Sequence, residues 1–210
     1  MKRLARFGLR LLYNELAWAY DAVAWCVSLG RWNAWGRTSI GYVRGRRVLE
    51  LAHGPGHLLI ALKQAGCEPV GIDLSAHMTR RASRRLRQAE VDIPLVRCRA
   101  QALPFRSGWF DSAVATFPTD YIVDPLTLHE VARVTAAGSR LVIVAGATLG
   151  GRGPLPKLIE ALYRVTGQSE PRPSGHEPAF GSTGWSVRTE YERVGSSRII
   201  LVVAHKSNAV

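Results

Sequence analysis

The feature that most constrains this chain is an apolar run that breaks on glycine and resumes as a helix. Arg47-Val48-Leu49-Glu50-Leu51-Ala52 has the near-continuous aliphatic character of a strand buried on both faces. It stops at His53-Gly54-Pro55-Gly56, and Leu58-Leu59-Ile60-Ala61-Leu62 follows at helical spacing. Gly66 closes that helix as a C-cap, and Pro69-Val70-Gly71-Ile72-Asp73 reads as a second strand ending in a carboxylate. A turn at 52–56 aims backbone N–H groups and a helix N-terminus at whatever sits above the strand end, which favours an anionic or electron-rich ligand. Asp73 reinforces this, because an acid about twenty residues past such a turn accepts the ribose hydroxyls in nucleotide-binding βαβ units. Its alternative use is to cap the helix that begins after Leu74-Ser75.

The rest of the chain repeats the alternation. Met78, Ala82, Leu86 and Ala89 form one apolar stripe on a helix and turn its arginines outward. Leu95 to Cys98 suggests a third strand, Phe110 to Phe117 a fourth and Leu141 to Ala145 a fifth, with a helix from Pro125 to Thr135 joining the last two. Ser186 to Arg193 alternates, Gly195-Ser196 turns, and Arg198 to Ala204 is a continuous apolar strand, so these last two strands must be antiparallel. The expected fold class is α/β, a Rossmann-like seven-stranded, mainly parallel sheet with an antiparallel C-terminal hairpin and helices on both faces. Residues 1–36 read as an aromatic, helical segment ending at Gly36 and serving as a lid. Residues 37–210 read as the main domain, with a loop-rich insertion at about 147–183 that holds one helical piece, Leu158 to Tyr163.

Composition narrows the setting. A chain of 210 residues is long enough to bury a core without disulfides or a structural metal. The three cysteines, Cys26, Cys67 and Cys98, are odd in number and form no C-x-x-C pair, which points to free thiols in a reducing compartment. No apolar stretch reaches the ~18–20 residues that span a bilayer, and Arg6, Arg10, Asn14 and Glu15 break any secretory core near the start, so the expected location is cytoplasmic. The formal charge of +12 is carried mostly by arginine. Diffuse positive charge serves solubility; peripheral contact with an anionic membrane surface and binding of nucleic acid are the other uses it permits.

The motifs above resemble those of class I S-adenosylmethionine-dependent methyltransferases. Val48 to Gly56 is similar to motif I, Gly71-Ile72-Asp73-Leu74-Ser75 to the second motif, and Ala102-Leu103-Pro104-Phe105 with Trp109-Phe110-Asp111 to the stretch that enters the fourth strand. Glu130-Val131-Ala132-Arg133-Val134 before Gly138 resembles the junction into the fifth strand. The resemblance covers about residues 13–205 and is closest to the ubiquinone/menaquinone-biosynthesis-like small-molecule group, whose N-terminal Tyr-Asp is echoed by Tyr20-Asp21. It implies S-adenosyl-L-methionine as cofactor and a small-molecule, apolar acceptor. It further implies that Gly54 and Gly56 let the backbone approach the methionine moiety, that Glu50 helps hold its amino group, and that Asp73 takes the ribose. Leu74 would pack on adenine, Ala100 and Gln101 would border the adenine edge, and Thr116 and Phe117 would face the transferable methyl. Two positions depart from the pattern. Ala52 stands where motif I usually has its first glycine, a mild change provided it keeps a negative φ, and Arg99 stands where an acid often meets the adenine amino group.

Methyl transfer from a sulfonium is an in-line displacement, so alignment of nucleophile and methyl supplies most of the rate and a general base is needed only when the acceptor must lose a proton. Asp120, Tyr121 and His57 are the candidates near the strand ends, with His129 and His176 further removed, and none is singled out. Three other functions compete. An NAD-dependent oxidoreductase wants a third glycine where Leu59 stands. A nucleic-acid methyltransferase acting on amino groups wants a Pro-Pro-Tyr stretch after the fourth strand, where this chain has Thr116-Phe117-Pro118-Thr119-Asp120-Tyr121. The third is a non-catalytic binding protein that keeps the fold.

Overall fold

The computed structural model of the chain describes residues 30–148, 180–181 and 183–207. Tyr20, the remainder of the segment before Gly30, the helical piece at 158–163 and His176 lie outside the described residues. Seven strands form one sheet: β1 (Arg47–Leu51), β2 (Glu68–Asp73), β3 (Leu95–Arg97), β4 (Phe110–Thr116), β5 (Thr135–Thr148), β6 (Trp185–Val194) and β7 (Ser197–Lys206), in the order β3-β2-β1-β4-β5-β7-β6. Strands β1 to β5 pair in parallel, and β7 runs antiparallel to both of its neighbours. The last strand therefore inserts between β5 and β6. Among the described residues the α-helices are α1 (Trp32–Arg37), α2 (His57–Gln64), α3 (Ala76–Gln88) and α4 (Pro125–Val134), with 3-10 turns at Thr38–Tyr42 and Asp120–Val123.

Alternation along the strands sends side chains to two apolar layers. Leu49, Leu51, Ala113 and Ile143 meet Leu128 and Val131 of α4 on one face. Val48, Val114, Val142 and Leu201 meet Trp35 of α1 with Leu58 and Leu62 of α2 on the other. Each fully buried aliphatic side chain contributes roughly 1.5–3 kcal/mol, so both layers help hold the helices on the two faces of the sheet. Among the described residues no helix is long and apolar enough to cross a membrane.

Two boundaries differ from the sequence reading. Helix α1 does not end at Gly36 but runs through it to Arg37, and Gly36 is buried facing Thr116 at the end of β4. Trp35 just before it is 1 % exposed and packs as core. Strand β5 begins at Thr135 rather than Leu141, carried through Gly138 at φ +68° with an irregular ladder against β4. A glycine that reads as a breaker is here an accommodated kink. The arginines of α3 are also not all turned outward. Arg80, Arg84 and Arg87 are exposed, whereas Arg85 donates from its guanidinium to the Pro55 carbonyl.

Acidic side chains anchor the loops that the sheet leaves behind. Asp111 accepts from the backbone N–H groups of Arg46 and Arg47 at 2.9 Å each and from the Arg47 guanidinium, which fixes the entry to β1. A side chain at Gly45 would fall 2.4 Å from Asp111 Cβ, so the position admits only glycine. On α4, Glu130 accepts from the Leu103 N–H at 2.7 Å and pairs with Arg133, whose guanidinium donates to the Leu103 and Phe105 carbonyls at 2.8 Å. The Arg133 guanidinium beside Glu130 holds its carboxyl below the ordinary carboxylate range, against an opposing push from burial. A carboxyl lowered on folding stabilises the native state above its unfolded value and loses that contribution as pH falls through the folded one. Glu130→Gln should therefore cost about 1 kcal/mol at neutral pH, roughly 2–4 °C in Tm, with a deficit that shrinks in acid as the wild-type carboxyl protonates. Thermal melts of both chains across an acid series check this; a deficit independent of pH would contradict it.

Candidate functional site

The residues singled out in the sequence converge on the carboxyl ends of four adjacent strands. Glu50 and the turn after it leave β1, Asp73 ends β2, Ala100 and Gln101 follow β3, and Thr116 ends β4. The chain winds outward in opposite directions from β1, to β2 and β3 on one side and to β4 on the other. In open α/β sheets such a reversal opens a crevice above the strand ends.

The turn is built by hydrogen bonds that cross between strands. His53 N–H donates to the Ile72 carbonyl at 3.0 Å, and Gly54 N–H donates to Asp73 Oδ2 at 2.9 Å. The other oxygen of Asp73 accepts from Ser75 N–H at 2.8 Å. Helix α3 is capped by the Ser75 hydroxyl, which accepts from Met78 N–H, so Asp73 is not the cap. Each carboxylate oxygen keeps a second lone pair, and Asp73 can accept further donors from the crevice. Gly54 takes φ +53°, and a side chain there would meet nothing within 4 Å among the described residues. Gly56, at φ +82°, is tight: a Cβ would come 3.0 Å from that of Ala82, which is how α2 and α3 approach each other. As N-cap of α2, Gly56 offers no side chain to the helix's first N–H groups.

Glu50 is 2 % exposed, and its Oε2 has no hydrogen-bond partner among the described residues. Burial, and behind it the charge of Asp73, pushes its carboxyl well above the ordinary range. A buried acid left without a partner implies a missing donor or counter-charge. Leu74, at 58 % exposure, presents an apolar side chain beside the end of β2. Ala100 is buried, and Gln101 Nε2 donates to Asp124 Oδ2 at 3.0 Å while Asp124 Oδ1 caps α4. The Gln101 amide nitrogen is thus tied to α4 rather than turned into the crevice. Arg97 donates to the Leu74 carbonyl at 3.1 Å, and Arg99 is exposed.

The β4 side is aromatic. Phe117 adopts φ +48°, donates its N–H to the Val144 carbonyl at 2.8 Å, and lies with its ring centroid 4.1 Å from that of Trp32. Trp35 sits behind both, 6.3 Å from Phe117. Helix α1 is held over this end by Arg31, which donates to Ser196 Oγ at 2.8 Å in the turn between β6 and β7. Of the possible bases, His57 opens α2, Asp120 and Tyr121 lie in the 3-10 turn after β4, and His129 is exposed on α4.

Sequence reasoning passed over His53, whose imidazole is 3 % exposed inside the turn, and Arg85, which reaches the turn from α3. The available signal for His53 was Gly71, a residue without a side chain on the neighbouring strand. The condition placed on Ala52 also fails. Its φ is +53°, not negative, so a Cβ occupies a left-handed position that glycine would fill without strain. The turn's hydrogen bonds to β2 impose that conformation on alanine. Ala52→Gly should raise stability by about 1 kcal/mol, seen as a higher Tm, if this strain is present; an unchanged or lower Tm would show that it is not.

A doubly wound sheet closed by an antiparallel hairpin, with a glycine turn tied to a strand-end carboxylate, defines the class I methyltransferase architecture. Residues 48–138 match a methyltransferase domain family. The chain is 30 % identical over 174 residues to the demethylmenaquinone methyltransferase of Renibacterium salmoninarum, spanning 79 % of this chain and 71 % of that one. It is 28 % identical to the demethylmenaquinone methyltransferase of Mycobacterium sp. (strain KMS), across 90 % of this chain and 81 % of its relative. Geranyl diphosphate C-methyltransferase from Streptomyces coelicolor A3(2), solved with S-adenosyl-L-homocysteine, shares the fold at a TM-score of 0.61 and 15 % identity, covering 83 % of this chain and 77 % of that one. The chain belongs to the class I S-adenosylmethionine-dependent methyltransferases, in the ubiquinone/menaquinone-biosynthesis-like group. It is an enzyme that uses S-adenosyl-L-methionine.

Proposed function

We propose that this enzyme methylates a flat, apolar small molecule of the quinone class, bound against the aromatic wall at the end of β4. The observation that carries this reading is the Trp32–Phe117 pair, packed with ring centroids 4.1 Å apart and planes tilted by 35° at the end of β4. Aromatic faces of this kind favour planar, apolar ligands in offset stacking. Phe117 is held there in a strained left-handed conformation, which is characteristic of positions where the surrounding structure imposes a functional geometry. The names of the relatives, demethylmenaquinone methyltransferases, agree with an acceptor of this shape.

The described residues fit the cofactor. Glu50 supplies a buried carboxyl that lacks a partner, suited to an ammonium group; Gly54 leaves the backbone bare, while Gly56 lets α2 and α3 close together beneath it; Asp73 accepts hydroxyls; Leu74 offers an exposed apolar face to a purine, with Ala100 and Gln101 at its edge. Ala52 continues the turn, at the cost of its strain. S-adenosyl-L-methionine supplies an electrophilic methyl on a sulfonium. Against it, the protein's work would be alignment: Thr116 and Phe117, at the end of β4, would hold the acceptor facing the methyl, and restricting two reactants to a near-attack geometry removes a large entropic barrier. Burial, and behind it the charge of Asp73, raises the Glu50 carboxyl, and a cationic group sharing that buried site would favour its ionised form.

Two measurements test this assignment. Titration with S-adenosyl-L-homocysteine should show binding that falls about a hundredfold in Asp73→Ala, the loss of two charge-assisted hydrogen bonds. Unchanged affinity would remove Asp73 from the site. Transfer of a labelled methyl group should proceed to a short-chain demethylmenaquinol, with Trp32→Ala raising KM for that acceptor about tenfold through lost aromatic contact. Methylation of RNA or of a polar metabolite in its place would overturn the proposed acceptor.

A further inference from the structure

The two peptide units that flank the Gly54 Cα are each held by a side chain. The glycine's N–H donates to Asp73 Oδ2 at 2.9 Å, and its carbonyl lies 2.8 Å from His53 Nδ1. A carbonyl oxygen only accepts, so Nδ1 carries the imidazole proton and Nε2 is left as a lone pair. That second nitrogen is buried and has no hydrogen-bond partner among the described residues. The ring occupies a slot that exists because residue 71 is glycine: a Cβ there would come within 2.9 Å of His53 Cδ2 and of Leu59 Cδ1, and 3.1 Å of Leu95 Cδ2. Burial disfavours the imidazolium and outweighs the attraction of Asp73, so the ring is neutral. An aliphatic side chain would fill this apolar slot without stranding a polar nitrogen, which makes histidine a costly occupant. What histidine provides in exchange is a donor at the Nδ1 position, beside the Gly54 carbonyl.

We infer that His53 is a positioning residue for the cofactor, its Nδ1–H holding the Gly54 carbonyl aside so that the glycine's N–H stays on Asp73 and its bare face stays open to the ligand. This rests on the assignment of the Gly54 turn to the cofactor made above. Without the imidazole donor, the amide that carries the Gly54 carbonyl is free to turn about the glycine's φ and ψ, and the ligand must order the turn on binding, which weakens affinity.

Three substitutions separate donation from volume. In His53→Asn the side-chain amide nitrogen falls where Nδ1 lies and keeps the donor, though part of the slot is emptied. His53→Gln carries its amide one bond further, near the place of Nε2, and His53→Leu fills the slot with no donor at all. Calorimetric titration of the full chain with S-adenosyl-L-homocysteine should give the Asn variant a Kd within about threefold of the parent, and the Gln and Leu variants a Kd roughly tenfold weaker. Melting temperatures should rank the other way, with Leu above Asn, because stability follows filled volume. Affinity that tracks melting temperature, or an Asn variant that binds no better than Gln, would overturn the role of His53. If the same experiment shows binding lost in Asp73→Ala, that failure concerns His53 alone; no binding by the unaltered chain would take down the site assignment with it.

Discussion

The structure turns on one carboxylate. Asp73 ends β2 and accepts backbone N–H groups from both sides, Gly54 in the turn after β1 and Ser75 at the head of α3. Two parallel strands leave no hairpin to join them at their carboxyl ends, and each then feeds its own helix. The carboxylate supplies the missing link, with His53 N–H on the Ile72 carbonyl as its companion. Everything at the crevice depends on that link: the left-handed glycine, the uncapped start of α2, and the approach of α2 to α3 over Gly56.

Charged side chains elsewhere repeat the device at longer range. Asp111 fastens the entry to β1, and Glu130 with Arg133 fastens the loop that follows β3. At the far end of α4, Lys206 Nζ donates to the Ala132 and Thr135 carbonyls, satisfying groups a helix C-terminus leaves open. The chain's charged residues are thus not all a solvated coat. Several are brackets that hold backbone, and they work because a partly buried ionised group bonds backbone atoms more strongly than a neutral one does.

The site itself is stiff on one side and strained on two. Ala52 and Phe117, just past the ends of β1 and β4, both carry a Cβ in left-handed backbone. Each is fixed by a neighbouring strand, Ala52 through the turn it shares with His53 and Phe117 through its N–H on Val144. Strain of this kind persists only where surrounding contacts over-determine the backbone. Both strained residues follow neighbouring strands, β1 and β4, at the same edge of the sheet.

The sequence by itself determined the alternation of strands and helices, the glycine turn, the acid at the end of the second strand and the antiparallel hairpin, because buried parallel strands, left-handed turns and helix caps each demand particular residues at local spacing. It also carried the motifs that place the chain in its family. Only the tertiary structure decided that Ala52 has positive φ, that Gly36 lies inside a helix and that β5 runs through Gly138, since in each case contacts from a distant strand override what the residue prefers alone. It alone decided that the last strand slots between β5 and β6, that Gln101 is tied to Asp124, and that His53 lies buried against Gly71. Those outcomes depend on which segments become neighbours in space, a property that periodicity along the chain does not encode.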